Sequence, residues 1–341
     1  MASLVYTSSN TTQSVLEPSS IACSSLTNRV DMPCRLIHYQ SLVVPRRPTD
    51  DATSGLPSDR GGHVTVTTHT ARAIRSSRRF GGNRRVDNLS ELVQSRREGR
   101  IQVLTLNNPG RRNALSLAMR EVLRVLLERV AEDVAGILIT GADGYFCSGG
   151  DLRDSAGFTA DETRFDHLAA IVSAIASNAR PVFAAVEGGA FGAGLGIAAA
   201  CDHVVCAKGG KLGAPFTKIG LSADAGLTWS LPRRIGPARA NQMLIGAEAL
   251  DARTALSWGL VDELADDGAV DEAAMTHLRS WLENAPLGMA ASKASIADPA
   301  TSLASALETE KHRQIRLLGT ADSQEAVSAF GQRRVPQFRG R

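Results

Sequence analysis

Apolar and polar positions follow two different periods from about residue 91 onward. Short apolar runs of strand length occupy 101–106 (IQVLTL) and 135–140 (AGILIT). Between them, residues 116–130 repeat apolar side chains at helical spacing. The apolar face of this helix is expected to comprise Leu117, Val122, Leu126 and Val130. The pattern predicts a β-α-β unit.

The same alternation continues along the chain. Residues 161–178 predict a helix with Asp161 as its N-cap, and 180–188 and 203–207 predict two further strands. Apolar strands that alternate with helices are typical of a mainly parallel sheet covered by helices. The sequence therefore predicts an α/β fold.

Beyond residue 237 the pattern becomes helical. Helices are predicted over 238–246, 251–259, 271–284, 286–297 and 301–318. Asp251 is expected to act as an N-cap. The last stretch, 322–338, predicts an amphipathic turn or two followed by a basic end that contains proline.

Residues 1–90 have a different composition from the rest of the chain. They are rich in Ser, Thr, Pro and Arg, contain no Lys and show no sustained period, so we expect an extension of low order. Two origins stay open for it. It is either an organellar transit segment or a stretch upstream of the true start of the domain, and the second origin would leave a cytoplasmic protein.

Composition excludes two classes of partner. The chain is 43% hydrophobic and 21% charged, without an uninterrupted apolar run of the ~18 residues that spanning a bilayer requires. Residues 91–341 show no basic stripe interleaved with aromatic side chains. We therefore expect neither a membrane-embedded protein nor a nucleic-acid partner.

Cysteine and histidine positions give no sign of a metal or a disulfide framework. The five cysteines show no CxxC spacing, and those in apolar segments are expected to pack as small, reduced thiols. His167 and His203 have no second histidine or carboxylate at ligand spacing in the sequence. The sequence thus predicts no metal site.

Two glycine-rich stretches follow predicted strands, at 145–152 (YFCSGGDL) and 188–196 (GGAFGAGLG). Backbone N–H groups between a strand and a helix are oriented donors, and two such loops could direct two N–H groups at one oxygen, forming an oxyanion hole. Either loop alone is equally an ordinary strand-to-helix turn. Neither matches a dinucleotide-binding or a Walker A fingerprint.

The ordered set of motifs resembles the enoyl-CoA hydratase/isomerase, or crotonase, superfamily over roughly residues 91–341. The motifs are NNPGRRNALS, YFCSGGDL, AAVEGGAFGAGLGIAAACD, APFTKIGLSADAGLTWSLPRRIG, ALSWGLVDEL and EAVSAFGQRRVPQF. The resemblance implies a spiral of β-β-α units over 91–285 and a helical region over 286–341 that packs on neighbouring subunits. It also implies homotrimers or hexamers, an acyl-CoA thioester as substrate, and no separate cofactor.

The resemblance also assigns site residues. The backbone N–H groups of Gly150 and Ala193 match the two oxyanion donors. Coenzyme A would lie against Ser148, Gly150 and Leu152, with Arg112 and Arg153 at positions suited to its phosphates, although both arginines are equally suited to a solvated surface. Asp151 is expected to shape the turn.

Departures from the family pattern decide the expected chemistry. Hydratases of the family use two glutamates, and those positions are Gly196 and Phe216 here. The one remaining carboxylate, Asp224, lies in KIGLSADAGLTWSLP, where double-bond isomerases such as 1,2-epoxyphenylacetyl-CoA isomerase place a single acid/base group. An apolar surround of Phe216, Leu227 and Trp229 is expected to raise its pKa.

The resemblance therefore favours an enoyl-CoA isomerase with Asp224 as its base. Three alternatives stay open. Asp224 could merely cap the helix that follows it, the enzyme could be a hydratase or hydrolase that uses another carboxylate, or the chain could be a catalytically silent CoA-binding subunit.

Overall fold

The computed structural model describes residues 91–153, 162–297 and 299–341. The predicted low-order extension at 1–90 and the predicted N-cap Asp161 lie outside these residues. Within them, no helix combines the length and the apolar character needed to cross a membrane.

A six-stranded sheet forms the centre of the domain, in the order β1-β2-β3-β4-β6-β9. Its strands are β1 Val93–Glu98, β2 Ile101–Leu106, β3 Gly136–Gly141, β4 Val182–Val186, β6 His203–Ala207 and β9 Glu263–Ala265. The β1–β2 pair is antiparallel and the other pairs are parallel. The predicted mainly parallel sheet is thus confirmed.

A second, three-stranded sheet has the order β5-β7-β8. Its strands are β5 Gly189–Phe191, β7 Lys211–Gly213 and β8 Ala249–Asp251. These strands are only three residues long, and none of them was predicted, because so short a segment shows no period.

Helices occupy both faces of the large sheet and the C-terminal part of the chain. They are α1 Leu117–Glu128, α2 Glu162–Ala176, α3 Ala193–Ala200, α4 Leu227–Leu244, α5 Ala252–Trp258, α6 Val270–Trp281, α7 Pro286–Ala297, α8 Leu303–Leu318 and α9 Ala321–Gln332. The Asp251 N-cap is confirmed, since its side chain accepts a hydrogen bond from the Thr254 N–H at 2.7 Å. Helix α4 is kinked at Gly236, which has φ 77°.

Two apolar clusters pack on opposite faces of the large sheet. One contains Leu104 and Ile139 with α1, α2 and α3. The other contains Leu138 and Phe183 with α6. Successive strand residues point to opposite faces, so strands covered on both sides are apolar throughout.

The predicted apolar face of α1 was wrong by about one residue. The fully buried apolar residues are Met119, Leu123 and Leu127, while Leu126 is only partly buried. Two neighbouring apolar stripes run along this helix, and the sequence pattern alone does not decide which one faces the sheet. The buried face also includes the charged residue Arg120.

Candidate active site

The first glycine-rich loop, which follows β3, is fixed in place by Asn113. The buried amide of Asn113 donates hydrogen bonds to the carbonyls of Ala142, at 2.9 Å, and Tyr145, at 2.5 Å. The Leu115 N–H donates to the Gly149 carbonyl at 2.8 Å, and Leu115 and Gly150 form an isolated parallel bridge. The segment before α1 therefore holds this loop along one side.

The second glycine-rich loop lies along the other side of the first. The Cys147 N–H donates to the Gly189 carbonyl at 3.1 Å, and the Phe191 N–H donates to the Cys147 carbonyl at 2.9 Å. A Cβ atom on Gly149 would lie 2.9 Å from the Phe191 carbonyl oxygen and 3.6 Å from the Ala193 nitrogen. Glycine at 149, with φ 104°, permits this close approach.

The Gly150 and Ala193 N–H groups are oriented by their neighbours. The peptide bonds of the described residues are trans, so each N–H points opposite to the preceding carbonyl. The Gly149 carbonyl accepts a hydrogen bond from the Leu115 N–H, so the Gly150 N–H points away from the Leu115 segment. The Gly192 carbonyl accepts from the Gly196 N–H at 3.1 Å inside α3, so the Ala193 N–H points out of the helix start.

Neither of these N–H groups donates a hydrogen bond to any residue that the structure describes. Two donors on adjacent loops that have no acceptor among the described residues, one of them at a helix N-terminus, are suited to bind a partial negative charge. The structure thus places Gly150 and Ala193 on neighbouring loops, as the sequence predicted.

Asp224 begins a strained turn that packs on α3. Ala225 has φ 48° and Gly226 has φ 71°, both in the left-handed region. A Cβ atom on Gly196 would lie 2.5 Å from the Ala225 Cβ and 2.5 Å from its carbonyl oxygen. Gly196 lies one turn after Ala193 on α3, so the Asp224 turn packs against the helix face that begins with Ala193.

The Asp224 carboxyl group is half-buried, and one of its two oxygens is without a hydrogen-bond partner among the described residues. Its Oδ1 atom is buried and makes no hydrogen bond within the described ranges. The N-cap of α4 is Gly226, with no side-chain cap, so the alternative that Asp224 caps this helix is wrong. Burial raises the pKa of Asp224 above its ordinary value, while the charges of Arg120 and Arg164 act in the opposite direction.

Arg120 is a site residue that the sequence analysis missed. Its side chain is buried, with Nε donating to the Leu115 carbonyl at 3.2 Å and Nη1 to the Arg164 carbonyl at 3.1 Å. A Cβ atom on Gly150 would lie 2.9 Å from Nη2. Its guanidinium therefore lies beneath the first loop while its charge acts on Asp224. The charge of Arg120 on an otherwise apolar face of α1 is the sequence signal that could have identified it.

The residues expected to contact coenzyme A lie on and beside the first loop. The Ser148 N–H donates to the Arg112 carbonyl at 2.9 Å, which joins two of these positions directly. Arg112 is exposed, with its guanidinium 5.6 Å from the centre of the Tyr145 ring. Leu152 is 50% exposed, and Arg153 is also exposed.

Asp151 has the expected role in the turn. Its Oδ1 accepts a hydrogen bond from the Arg153 N–H at 3.0 Å, and its other oxygen forms an ion pair with Arg111. The buried side chain thus holds Leu152 and Arg153 in position at the end of the loop.

Two of the three residues expected to surround Asp224, Phe216 and Leu227, belong to the same apolar cluster as its neighbour Ala225. Phe216 is 7% exposed, and its Cζ atom would lie 3.6 Å from a Cβ atom on Gly192, so its ring lies beside the second loop. Leu227 is fully buried. Trp229, in contrast, has its ring under the Arg233 guanidinium, 4.2 Å away, and lines a separate cavity with residues of α7.

The cysteines pack as the sequence predicts, whereas His203 has neighbours that its position in the sequence does not show. Cys147, Cys201 and Cys206 are buried free thiols, and burial raises the pKa of each to about 12, which confirms unreactive packing. His203 has no second ligand-type residue at metal-binding spacing in the sequence, but the fold gives it two such neighbours. His277 and Glu263 lie beside it, brought there from distant positions by the fold.

Comparison with known proteins agrees with this architecture. The sequence model described as enoyl-CoA hydratase/isomerase matches residues 96–341. A Rhodobacter capsulatus protein named "Probable enoyl-CoA hydratase" is 37% identical over 248 residues, covering 71% of this chain and 95% of that protein. The 1,2-epoxyphenylacetyl-CoA isomerase of Escherichia coli is 34% identical over 267 residues, covering 74% and 100%.

A solved structure shows the same fold. The crystal structure of an enoyl-CoA hydratase from Polaromonas sp. JS666 superposes with a TM-score of 0.69 at 32% identity, covering 72% of this chain and 99% of that one. The crotonase-type α/β fold predicted from the sequence is therefore confirmed.

Gly196→Ala is expected to destabilise the protein by about 1–3 kcal/mol, because the added methyl group overlaps Ala225 and pushes the Asp224 turn away from α3. The thermal unfolding midpoint measures this effect. Gly331→Ala is the matched control, since that helical glycine has open space around it, and its midpoint should stay equal or rise. An unchanged midpoint for Gly196→Ala would contradict the packing described here.

Proposed function

The chain belongs to the enoyl-CoA hydratase/isomerase family of the crotonase superfamily, and on that premise we propose that it is an enoyl-CoA isomerase that moves a double bond in an acyl-CoA thioester. The observation that supports this proposal is the Asp224 turn, which fills the space beside Gly196. The turn packs against the face of α3 that starts at Ala193, and it carries one half-buried carboxyl group.

One carboxylate is sufficient for this reaction. Asp224 removes a proton from the carbon next to the thioester carbonyl, and the electron pair delocalises into a thioester dienolate. Asp224 then returns the proton two carbons further along the acyl chain. The double bond moves into conjugation with the carbonyl, and no atom is gained or lost.

The dienolate oxygen is proposed to accept hydrogen bonds from the Gly150 and Ala193 N–H groups. Such donors act on charge that develops during the reaction, and loss of one typically costs about 3 kcal/mol of barrier. The direction of both N–H groups, and the lack of protein acceptors for them among the described residues, support this role.

The surroundings of Asp224 are suited to a base that works near neutral pH. Burial raises its pKa. The carboxylate therefore binds a proton more strongly than an exposed aspartate does, and its pKa lies closer to that of the carbon acid that it deprotonates. Arg120 and Arg164 limit the rise, since their charges favour the ionised form. Arg120 is thus proposed to keep Asp224 ionised and ready to accept a proton.

Substrate binding is proposed to follow the family arrangement. The adenine would lie against Ser148, Gly150 and Leu152, and the phosphates would meet the exposed guanidinium groups of Arg112 and Arg153. Phe216 would provide an apolar wall beside the acyl group, because its ring lies next to Gly192.

A hydratase is the second candidate, because a relative with that name is 37% identical. Addition of water needs one group to activate the water and another to deliver a proton. A glutamate side chain at position 196 would overlap Ala225. Position 216 has a phenyl ring, which cannot transfer a proton. These two observations favour the isomerase.

The proposed assembly is a homotrimer or a pair of trimers. Helices α8 and α9 expose large apolar side chains, with Leu303 at 76%, Val327 at 73% and Phe330 at 88% of their full accessible surface. Apolar side chains so exposed on neighbouring helices are typical of surfaces that pack on another subunit.

Asp224→Asn is expected to lower kcat for conversion of 3-enoyl-CoA to 2-enoyl-CoA by at least about 10³-fold, because the amide cannot accept the proton. Its stability at pH 7 should not fall. The folded-state pKa of Asp224 is raised, so its contribution to stability is fully present below its unfolded pKa and is lost as the pH rises through the folded pKa.

Single-turnover assays and urea unfolding measure the two effects. Asp166→Asn, an exposed position on α2, is the control and should retain activity. Full isomerase activity in Asp224→Asn would contradict the assignment of the base, and efficient hydration of 2-enoyl-CoA by that variant would favour the second candidate.

Ala193→Pro is expected to lower kcat by about 10²–10³-fold, because proline removes one proposed oxyanion donor. The fold should be retained, since proline is tolerated at the first position of a helix. Ala321→Pro is the control. Ala321 is also the first residue of its helix, α9, and is exposed. Wild-type kcat in a folded Ala193→Pro variant would exclude this N–H from the chemistry.

A further inference from the structure

A second cluster of polar side chains lies on the opposite face of the large sheet from Asp224. It contains His203 at the start of β6, Glu263 at the start of β9 and His277 on α6. Val205 is the register partner of Glu263, and His203 lies two residues before Val205, so the two side chains share a face. Helix α6 covers that face and brings His277 to both of them.

The three side chains present their ligand-type atoms close together. His277 Nδ1 lies 2.8 Å from Glu263 Oε2, and His203 Nε2 lies 3.5 Å from the same oxygen. All three atoms lie within 4.8 Å of one another. Nitrogen and oxygen ligands that surround Zn²⁺ tetrahedrally at about 2.0–2.1 Å are separated by about 3.3 Å, so shifts of less than about 1 Å would bring most of these atoms into place.

His203 is the least satisfied member of the cluster. Its Nε2 atom is buried and makes no hydrogen bond in the described part of the chain. The ring is held between aromatic neighbours, with centroids 4.7 Å from Phe183 and 4.2 Å from His277.

Ligand types and surroundings indicate the class of ion. Two imidazoles and one carboxylate form the ligand set that zinc uses where a fourth position stays open. A surface cavity of about 500 Å³ adjoins the cluster and is lined by Glu263, His277, Glu272 and Ser280. A water molecule or an exogenous ligand could enter through it to complete four-coordination.

The geometry points to a binding site for a divalent transition-metal ion of the Zn²⁺ class at His203, Glu263 and His277. The ion would join α6 to strands β6 and β9. It would lie across the sheet from the Asp224 turn. Phe183, which packs against His203, belongs to the apolar cluster that contains α6, whereas Ala225 and Ala193 belong to the cluster on the other face. The site thus stabilises the fold and takes no part in the proposed isomerisation.

The test uses full-length protein without a polyhistidine tag, freed of metal by chelation. Wild type is expected to bind one equivalent of Zn²⁺ in competition with a chromogenic chelator. It should also give the visible absorption band of four-coordinate Co²⁺, and its thermal midpoint should rise with saturating Zn²⁺. His277→Gln and Glu263→Gln should bind Zn²⁺ at least about 100-fold more weakly. Neither variant should show the Co²⁺ absorption band or the rise in thermal midpoint.

His312→Gln is the matched control, because His312 is an exposed histidine on α8 that lies near a glutamate, Glu308. It should bind Zn²⁺ as wild type does. His277 and Glu263 are partly exposed, so their variants are expected to fold, and circular dichroism verifies this. A wild type that binds no Zn²⁺, or binds it as weakly as His277→Gln, would overturn the inference. Equal binding by all the variants would overturn it too.

Discussion

Contact between Ala225 and the bare backbone of Gly196 is the constraint on which the site depends. Helix α3 is composed of small and aliphatic residues, all buried, and at Gly196 it leaves room for a neighbouring turn. That turn adopts left-handed backbone angles at Ala225 and Gly226, a conformation that needs support from its surroundings. The same packing that stabilises the turn places the Asp224 carboxyl group in a half-buried position.

Electrostatics then determine what this carboxyl group can do. Burial without a hydrogen-bond partner at Oδ1 among the described residues makes the ionised form costly, and two arginines offset part of that cost. One of them, Arg120, also lies beneath Gly150. The proposed base and one of the proposed oxyanion donors therefore share a buried cation, which couples the position of the first loop to the charge of Asp224.

Much of the fold could be predicted from the sequence, because its long elements have clear periods. Strand β2 and helix α7 begin and end at the predicted residues. Short strands such as β5 and β7 could not be predicted, since three residues show no pattern. The ordered motifs indicated the site positions on the two glycine loops and the Asp224 turn. The buried position of Arg120 and the meeting of His203 with His277 depend on tertiary packing, which no local spacing reports.

In the proposed reaction, Asp224 shuttles one proton while no water is added to the substrate. Incubation of wild type with 3-enoyl-CoA in H₂¹⁸O, followed by mass spectrometry of the acyl product, tests it most directly. We expect 2-enoyl-CoA to accumulate with the mass of the substrate and no ¹⁸O. A 3-hydroxyacyl-CoA product that contains one ¹⁸O atom and forms as fast as the double bond moves would contradict it.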